Sequence, residues 1–188
     1  MNGHIPPRFA RATFKSVDHE QFRDLVEYRK GLRAHCRSGR GVLLSGPPGV
    51  GKTWALSALT DEWCSSSASR GKGTPVFVTA PDFFENLSEF TEAWDSWRDQ
   101  SWLDTYTTAA WLVLNDLGKE RRNGKYAAQM AERLGRVVRA RSERQLLIHV
   151  TTNFDAKQLT EAYGESVMSL LSEMTVPMAV NGPDRRKT

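Results

Sequence analysis

The segment GPPGVGKT, residues 46–53, is the most informative part of this 188-residue chain. It fits the pattern G-x-x-x-x-G-K-[ST], whose glycines let the backbone curl so that its N–H groups point inward around phosphate. An apolar, strand-like stretch at 41–46 precedes it, and a helix-like pattern at 53–64 follows it. The positive end of a helix at this point also attracts anions. The segment therefore predicts a phosphate-binding loop between a buried strand and a helix.

This loop predicts a site for a nucleotide with Mg²⁺. Lys52 is expected to reach the β- and γ-phosphates, and the hydroxyl of Thr53 is expected to bind the metal ion. The motif by itself is compatible with adenine and with guanine. The expected nucleotide-binding residues are Gly46, Pro47, Pro48, Gly49, Val50, Gly51, Lys52 and Thr53.

Strand-like and helix-like segments alternate along the rest of the chain. Helices are expected after Asp18 as N-cap, from Pro81, and over residues 125–141. Further strands are expected at 75–80, 110–116 and 145–153. Strands that are apolar on both faces favour a parallel sheet with helices on both sides, because only such a sheet buries both faces of each strand. The predicted fold class is α/β.

The composition is that of one soluble globular domain, with 39% apolar and 26% charged residues. We expect residues 1–40 to form an N-terminal linker and first helix, and residues 41–188 to form the nucleotide-binding core. No apolar run approaches the ~18 residues that span a bilayer, and the N-terminus lacks the apolar core of a signal peptide. A cytoplasmic protein without a membrane partner is therefore expected.

The cysteines and the net charge constrain the possible functions only weakly. Cys36 and Cys64 form no CxxC pair, so the sequence suggests neither a zinc site nor a disulfide framework. The net charge of +4 and the pI near 9.2 permit contact with a polyanion without requiring it.

Several motifs, taken in order, resemble those of the AAA+ ATPases, and more narrowly those of the DnaC/DnaI-type helicase loaders and the IstB-like transposition helpers. The motifs are IPPRFARATF (5–14), GPPGVGKT (46–53), VTAPDFFENL (78–87), NDLGKE (115–120), VTTN (150–153), YGESVMSLL (163–171) and NGPDRR (181–186). The resemblance implies a P-loop NTPase fold of the AAA+ type that binds ATP or ADP with Mg²⁺. It also implies self-association, single-stranded DNA and a replicative helicase as partners. The family's extra N-terminal domain and C-terminal lid are expected to be absent or vestigial, which would make this a minimal loader.

The resemblance also assigns catalytic roles. Asn115 takes the position of the metal-facing acid, and Asp116 takes that of the residue that orients and deprotonates the attacking water. A rival register would make Asp116 the metal residue and would leave Leu117, which cannot act as a base. Asn153 matches the sensor that holds the water or the γ-phosphate.

A sensor arginine is expected close to the γ-phosphate. Arg186 matches this position in the resemblance, and Arg185 is a close competitor for the role.

Two positions depart from the family's pattern. Asn115 carries no charge, and Leu170 stands where the family places an arginine that reaches into the neighbouring subunit's site. Losing an outer-shell metal partner costs roughly 10–100-fold, whereas an arginine finger contributes about 10³–10⁵ in rate. We therefore expect the protein to hold ATP well and to hydrolyse it slowly. A partner protein could supply the missing cation; so could Arg139, Arg141 or Arg144, although we favour a solvated helix face for these three.

The stretch GKERRNGK at 118–125 follows the acidic strand end, where related replication proteins often contact DNA. Non-specific contacts with DNA phosphates are expected, and a solvated loop is an equally good interpretation. The expected DNA-binding residues are Lys119, Arg121, Arg122 and Lys125.

Other conspicuous side chains are interpreted as core residues. Trp94, Trp97, Trp102 and Trp111 are more typical of a helix packed on the core than of an aromatic platform for bases. His149 lies within an apolar strand, and Phe14 is favoured as a core residue over an adenine contact.

The leading hypothesis is an ATP-binding helper of DNA replication. The alternatives are an IstB-like transposition helper, a nucleotide-bound adaptor that does not cycle, and a small-molecule kinase. The VTTN segment disfavours the kinase.

Overall fold

The computed structural model describes residues 5–87, 97–120 and 125–186, and for residues 97–100, 125 and 126 it describes the backbone alone. The strands are β1 (Gly41–Ser45), β2 (Val76–Thr79), β3 (Trp111–Leu117), β4 (Leu147–Thr152) and β5 (Thr175–Ala179). The α-helices are α1 (Arg23–Lys30), α2 (Leu32–Ser38), α3 (Lys52–Ser65), α4 (Ala80–Asn86), α5 (Trp97–Thr108), α6 (Lys125–Glu143), α7 (Ala156–Tyr163) and α8 (Glu165–Met174). Two short 3₁₀ helices, Pro7–Phe9 and Phe14–Ser16, precede them.

The strands form one five-stranded sheet in the order β2-β3-β4-β1-β5. Every neighbouring pair is parallel, so the predicted α/β class and the parallel sheet are confirmed. Ser45 at the end of β1 is level with Thr152 at the end of β4, and Thr152 is level with Leu117 at the end of β3. The loops after these strands therefore meet at one edge of the sheet, where ligands of open α/β sheets bind.

The sheet separates two hydrophobic clusters, one on each face. Successive residues of β1 alternate between them, because side chains along a strand point to opposite faces. Val42 and Leu44 pack into the first cluster with the N-terminal segment and α3, while Leu43 packs into the second with α4, α6, α7 and α8. Phe14 belongs to the first cluster, as predicted for a core residue.

Two local predictions were wrong. Strand β5 was not predicted. Asp18 is also not the N-cap of α1: its carboxylate accepts the N–H groups of Glu20 and Gln21 in the preceding turn, and Phe22 occupies the cap position. The sequence signal for a cap was correct, but it caps a turn rather than the helix.

The aromatic and histidine predictions are confirmed where the structure describes the side chains. Trp111 stacks on Trp63 with ring centroids 5.0 Å apart, and Trp102 stacks on Tyr106 at 5.6 Å. Nδ1 of His149 accepts the N–H of Val42 at 3.2 Å. Burial lowers the pKa of His149 to about 3, so the imidazole is neutral. Trp94 and the side chain of Trp97 lie outside the described residues.

Arg141 lies on α6, but it does not belong to a solvated face. Its side chain is fully buried. The guanidinium donates to the carbonyl oxygens of Tyr106 (2.6 Å), Ala109 (2.8 Å) and Leu147. Burial lowers the pKa of Arg141 to about 9, which still leaves it charged at neutral pH. Arg141 therefore ties the end of α5 to β4 and is not available to a neighbouring subunit.

No helix within the described ranges has the length and apolar character needed to cross a bilayer.

The substitution Arg141→Met should lower the free energy of unfolding by about 2–4 kcal/mol, because buried carbonyl groups lose their donors. Urea unfolding measures this change. The matched control is Arg139→Met on the exposed side of the same helix, for which we expect a change within about 0.5 kcal/mol. Equal effects of the two substitutions would contradict a structural role for Arg141.

Candidate nucleotide-binding site

The phosphate loop connects β1 to α3, and its glycines pack closely against neighbouring groups. Gly49 adopts φ +85°, a left-handed conformation that favours glycine. At Gly46, a Cβ atom would lie 2.0 Å from the carbonyl oxygen of Val180, so no larger residue fits. Gly51 caps α3, and Ala55 donates to its carbonyl as the first turn begins. The loop thus leads directly into a helix N-terminus, as an anion site requires.

Lys52 is the buried cation of the loop, with only 5% of its surface exposed. Its Nζ atom donates to the carbonyl oxygens of Gly46 (2.7 Å) and Pro47 (2.7 Å), and to Oδ1 of Asn153 (2.8 Å). Asn153 follows β4, so this bond joins the loop to the neighbouring strand. The structure therefore brings two predicted site residues, Lys52 and Asn153, into direct contact.

Lys52 changes its charge at a pH only slightly above neutral. Burial lowers the pKa of Lys52 to about 8, and the charges of Lys119 and Arg186 act in the same direction. The carboxylate of Asp116 opposes them. The ammonium remains mostly charged at pH 7 and loses its proton within the mildly alkaline range.

Asn115 lies beside Thr53, the other residue that is expected to face the metal ion. Its Oδ1 atom accepts hydrogen bonds from the hydroxyls of Thr53 (2.9 Å) and Thr151 (2.8 Å). The side chain is buried and neutral. An uncharged amide oxygen therefore takes the place next to the hydroxyl that is expected to bind Mg²⁺.

Asp116 has different contacts from those of Asn115. Its φ of +62° is unusual for a non-glycine residue, and its N–H donates to the Thr151 hydroxyl at 2.8 Å. Its carboxylate pairs with Nζ of Lys119 at 2.6 Å. Lys119, predicted to contact DNA, is thus engaged with the predicted catalytic acid.

The strand end that carries Asp116 is anchored by Glu120, a residue to which no role was assigned from the sequence. Its buried carboxylate accepts the N–H of Gly118 (3.0 Å) and the hydroxyl of Tyr163. The available signal was its place in the NDLGKE motif. Glu120 connects the acidic strand end to α7, which ends at Tyr163.

The two candidate sensor arginines have different partners. Arg185 donates to Asp18 Oδ2 at 2.7 Å and to the side chain of Gln21. Arg186 binds Asp184, with Nε 3.0 Å from Oδ1 and Nη2 3.1 Å from Oδ2. Both arginines border the same cavity as Lys52.

This cavity has a volume of about 450 Å³, within the usual range for small-molecule sites. Its phosphate end is lined by the loop, Asp116 and Asn153. The lining also includes aromatic and apolar surface suited to a base, which was not predicted from the sequence. That surface comes from Phe9, Val17, Phe22 and Trp54.

Comparison with known protein families agrees with this geometry. The model of the family described as IstB-like ATP binding protein matches residues 9–173. The chain belongs to this family. The resemblance to AAA+ proteins of the DnaC/IstB type is thereby confirmed, and this IstB-like protein is an ATP-binding AAA+ protein. A search of curated proteins gave no match.

Solved structures show the same fold. The crystal structure of DnaI has a TM-score of 0.76 and 24% identity, covering 96% of this chain and 94% of that one. The DnaC helicase loader has a TM-score of 0.76 and 22% identity, covering 94% and 100%. The replication initiator DnaA bound to AMPPCP and single-stranded DNA has a TM-score of 0.71 and 14% identity, covering 96% and 52%.

The donor set of the IstB-like protein fits a nucleotide with Mg²⁺. Within the described ranges, no cluster of His, Cys, Asp and Glu could hold a metal ion alone. Mg²⁺ at nucleotide sites needs only one or two protein groups, since the phosphates supply further oxygen ligands. Thr53 and Asn115 offer such oxygens.

Other predicted residues lie away from the cavity. Leu170 is partly buried on α8 and packs against the second hydrophobic cluster. Arg139 and Arg144 border a separate groove between α5 and α6. Arg121 and Arg122 lie outside the described residues, as does the side chain of Lys125.

Nucleotide affinity of the IstB-like protein should fall as pH rises above about 8. The free protein loses the Lys52 proton there, whereas bound phosphates favour the charged form, so binding takes up a proton and weakens by at most roughly tenfold per pH unit. Calorimetry with ADP from pH 7 to 9.5, in buffers of different ionisation enthalpy, measures both effects.

Two variants control this experiment. Lys52→Arg should bind more weakly but without the proton uptake, because its guanidinium does not titrate in this range. Lys52→Ala should not bind at any of these pH values. Equal wild-type affinity at pH 7 and pH 9.5 would contradict the assigned pKa.

Proposed function

We propose that this protein is a slow, nucleotide-controlled helper of DNA replication that binds ATP with Mg²⁺, contacts single-stranded DNA and recruits or remodels a replicative helicase. Family membership supports the nucleotide. Similarity to DnaI and to the DnaC helicase loader, over nearly the full length of all three chains, supports the helicase role. The structure of DnaA with single-stranded DNA supports the DNA partner.

The observation that carries the slow turnover is the neutral network of Thr53, Asn115 and Thr151. Lys52, Thr53 and the loop N–H groups bind the ground state of the nucleotide. Mg²⁺, when bound, neutralises charge on the phosphates. Asn115 orients the Thr53 hydroxyl but adds no negative charge beside the metal position. These groups therefore bind ATP without giving extra stabilisation to the transition state. Only extra stabilisation of the transition state raises the rate of hydrolysis.

Asp116 is the proposed base for the attacking water. Its carboxylate is 23% exposed and is paired with Lys119. Asn153 follows the neighbouring strand and accepts a hydrogen bond from Lys52, which supports its proposed role in positioning the γ-phosphate or the water. Arg186 is the proposed sensor, since it matches the family's sensor position and borders the cavity.

The missing arginine finger limits turnover further. Leu170 occupies the family's position on α8 and packs on the core. Arg141 cannot substitute, because it is buried and bound to carbonyl groups. Unless a partner protein supplies a cation, charge that develops on the transferring phosphoryl group stays uncompensated at this position.

Introducing the family's residues at the two departing positions should raise the rate of ATP hydrolysis. Asn115→Asp should increase the rate roughly tenfold, because a carboxylate accepts both threonine hydroxyls and adds charge. Leu170→Arg should increase it at least tenfold if subunits meet as in the family, since a finger is worth about 10³–10⁵. Phosphate release measures both rates under protein concentrations that allow self-association.

The control for Leu170→Arg is Ser169→Arg, which adds the same charge at the adjacent, exposed position of α8. No change on Leu170→Arg would argue against the proposed contact between subunits. A rate for the wild-type protein comparable to that of a vigorous AAA+ motor would contradict slow turnover.

DNA contacts are proposed for the loop after β3. The double variant Arg121→Ala/Arg122→Ala should weaken single-stranded DNA binding and reduce the salt dependence of log K by about 1.4, because two phosphate contacts are lost. Fluorescence anisotropy at several salt concentrations measures this slope. The charge-matched control is Arg33→Ala/Arg37→Ala on α2, which should leave the slope unchanged. Unweakened binding by the loop variant would remove the loop from the proposal.

Transposition is the second candidate function, since the matching family model is that of the IstB-like proteins. The two roles differ in the protein partner. Co-sedimentation with the replicative helicase of the same host, with ATP and with ADP, tests the first role directly. Stable capture of a transposase instead, with no helicase complex under either nucleotide, would favour the second.

A further inference from the structure

The C-terminal strap, residues 180–186, lies across the phosphate loop. Val180 donates its N–H to the carbonyl of Ser45 at 2.7 Å, and Arg185 donates its N–H to the carbonyl of Gly49 at 3.0 Å. Because Gly46 has no side chain, the carbonyl group of Val180 can lie directly against it. The strap therefore follows the loop from its first glycine to its middle.

Within the strap, a carboxylate rests on the phosphate loop. Oδ1 of Asp184 lies 1.8 Å from the place where a Cβ atom of Gly49 would be, so the contact exists because Gly49 has no side chain. Phosphate and carboxylate carry the same sign of charge, and like charges at close range weaken binding. A negative group at this point requires a counter-ion, and the structure supplies Arg186.

The pair between Asp184 and Arg186 is bidentate but only partly buried. Its two contacts measure 3.0 and 3.1 Å, and the side chains are 26% and 54% exposed. A forked arginine–carboxylate geometry is the same geometry with which arginine binds phosphate oxygens. Because the Arg186 side chain is about half exposed, breaking the pair costs little, and an incoming phosphate can bind the guanidinium instead.

The contacts of Arg185 hold the strap in place while Arg186 exchanges Asp184 for a phosphate. The Arg185 guanidinium is anchored to Asp18 and Gln21, and Gln21 in turn donates to the carbonyl of Val50 at 2.9 Å. The strap is thus fixed from Val180 to Arg185, the residue directly before Arg186. The Arg186 side chain can change partners while the backbone around it stays in place.

We propose that Asp184 is a specificity-determining residue, which competes with the γ-phosphate for Arg186 and so lowers the preference of the site for ATP over ADP. This inference rests on the proposed function, in which Arg186 is the sensor. In the ADP-bound protein Arg186 stays with Asp184. In the ATP-bound protein Arg186 binds the γ-phosphate and its ion pair with Asp184 is broken, so that part of the gain is offset.

The test compares dissociation constants for Mg-ADP and a Mg-bound, non-hydrolysable ATP analogue, measured by calorimetry. Asp184→Asn should raise affinity for the ATP analogue about two- to fivefold relative to ADP, the range expected for removing one exposed ion pair. In an Arg186→Ala background the same substitution should leave the ratio unchanged. The effect should shrink at high salt.

Asp18→Asn is the matched control. It removes one carboxylate charge that borders the nucleotide cavity, but the partner of this carboxylate is Arg185 rather than Arg186. We expect an unchanged ratio of ATP to ADP affinity.

Three results would overturn the inference. Asp184→Asn could strengthen both nucleotides equally, which would indicate simple repulsion. It could change neither affinity. Asp18→Asn could alter the ratio instead, which would give the sensor role to Arg185. Failure of the wild-type protein to bind either nucleotide is a separate outcome, and it would reject the proposed function itself.

Discussion

Lys52 joins the phosphate loop to strand β4 through a single ammonium group. Its three hydrogen bonds hold the start of the loop and Asn153 in one arrangement. That arrangement exists only because β1 and β4 are parallel neighbours whose carboxyl ends are level. A buried ammonium with a pKa near 8 is costly to maintain without acceptors, so the carbonyl groups of Gly46 and Pro47 both stabilise the cation and keep the loop open around it.

A second network, centred on Asn115, connects the loop to β3 and β4. One amide oxygen receives two hydroxyl groups, and the hydroxyl of Thr151 also accepts the N–H of Asp116. Thr151 therefore helps to hold Asp116 in its strained backbone conformation. Strain of this kind persists where surrounding contacts determine the geometry. The amide at position 115 therefore forms both hydroxyl contacts without adding charge to the network.

The sequence predicted the elements that have strong local signals. Strands β1, β3 and β4 are apolar on both faces, and the phosphate loop has fixed glycine positions, so pattern alone located them. Strand β5 escaped prediction because it is short, contains Pro177 and alternates buried with exposed residues.

Contacts between distant segments could not be predicted. The pairing of Arg185 with Asp18 joins residues 167 positions apart, and the bond between Glu120 and Tyr163 spans 43 positions. Arg141 was misjudged because helical position alone does not reveal that α5 covers it. The register that assigns Asn115 to the metal-facing position came from the resemblance, since composition and periodicity do not distinguish Asn115 from Asp116.

Pro177 has a consequence for self-assembly. It lies in β5, which pairs with β1 on one side and forms the outer border of the sheet. Because the ladder with β1 runs without interruption from Thr175 to Ala179, the donor that proline lacks must face away from the sheet. Two molecules therefore cannot extend one continuous sheet across this border by regular backbone pairing. Any contact between two molecules at this border must therefore be made by side-chain surfaces rather than by a shared sheet.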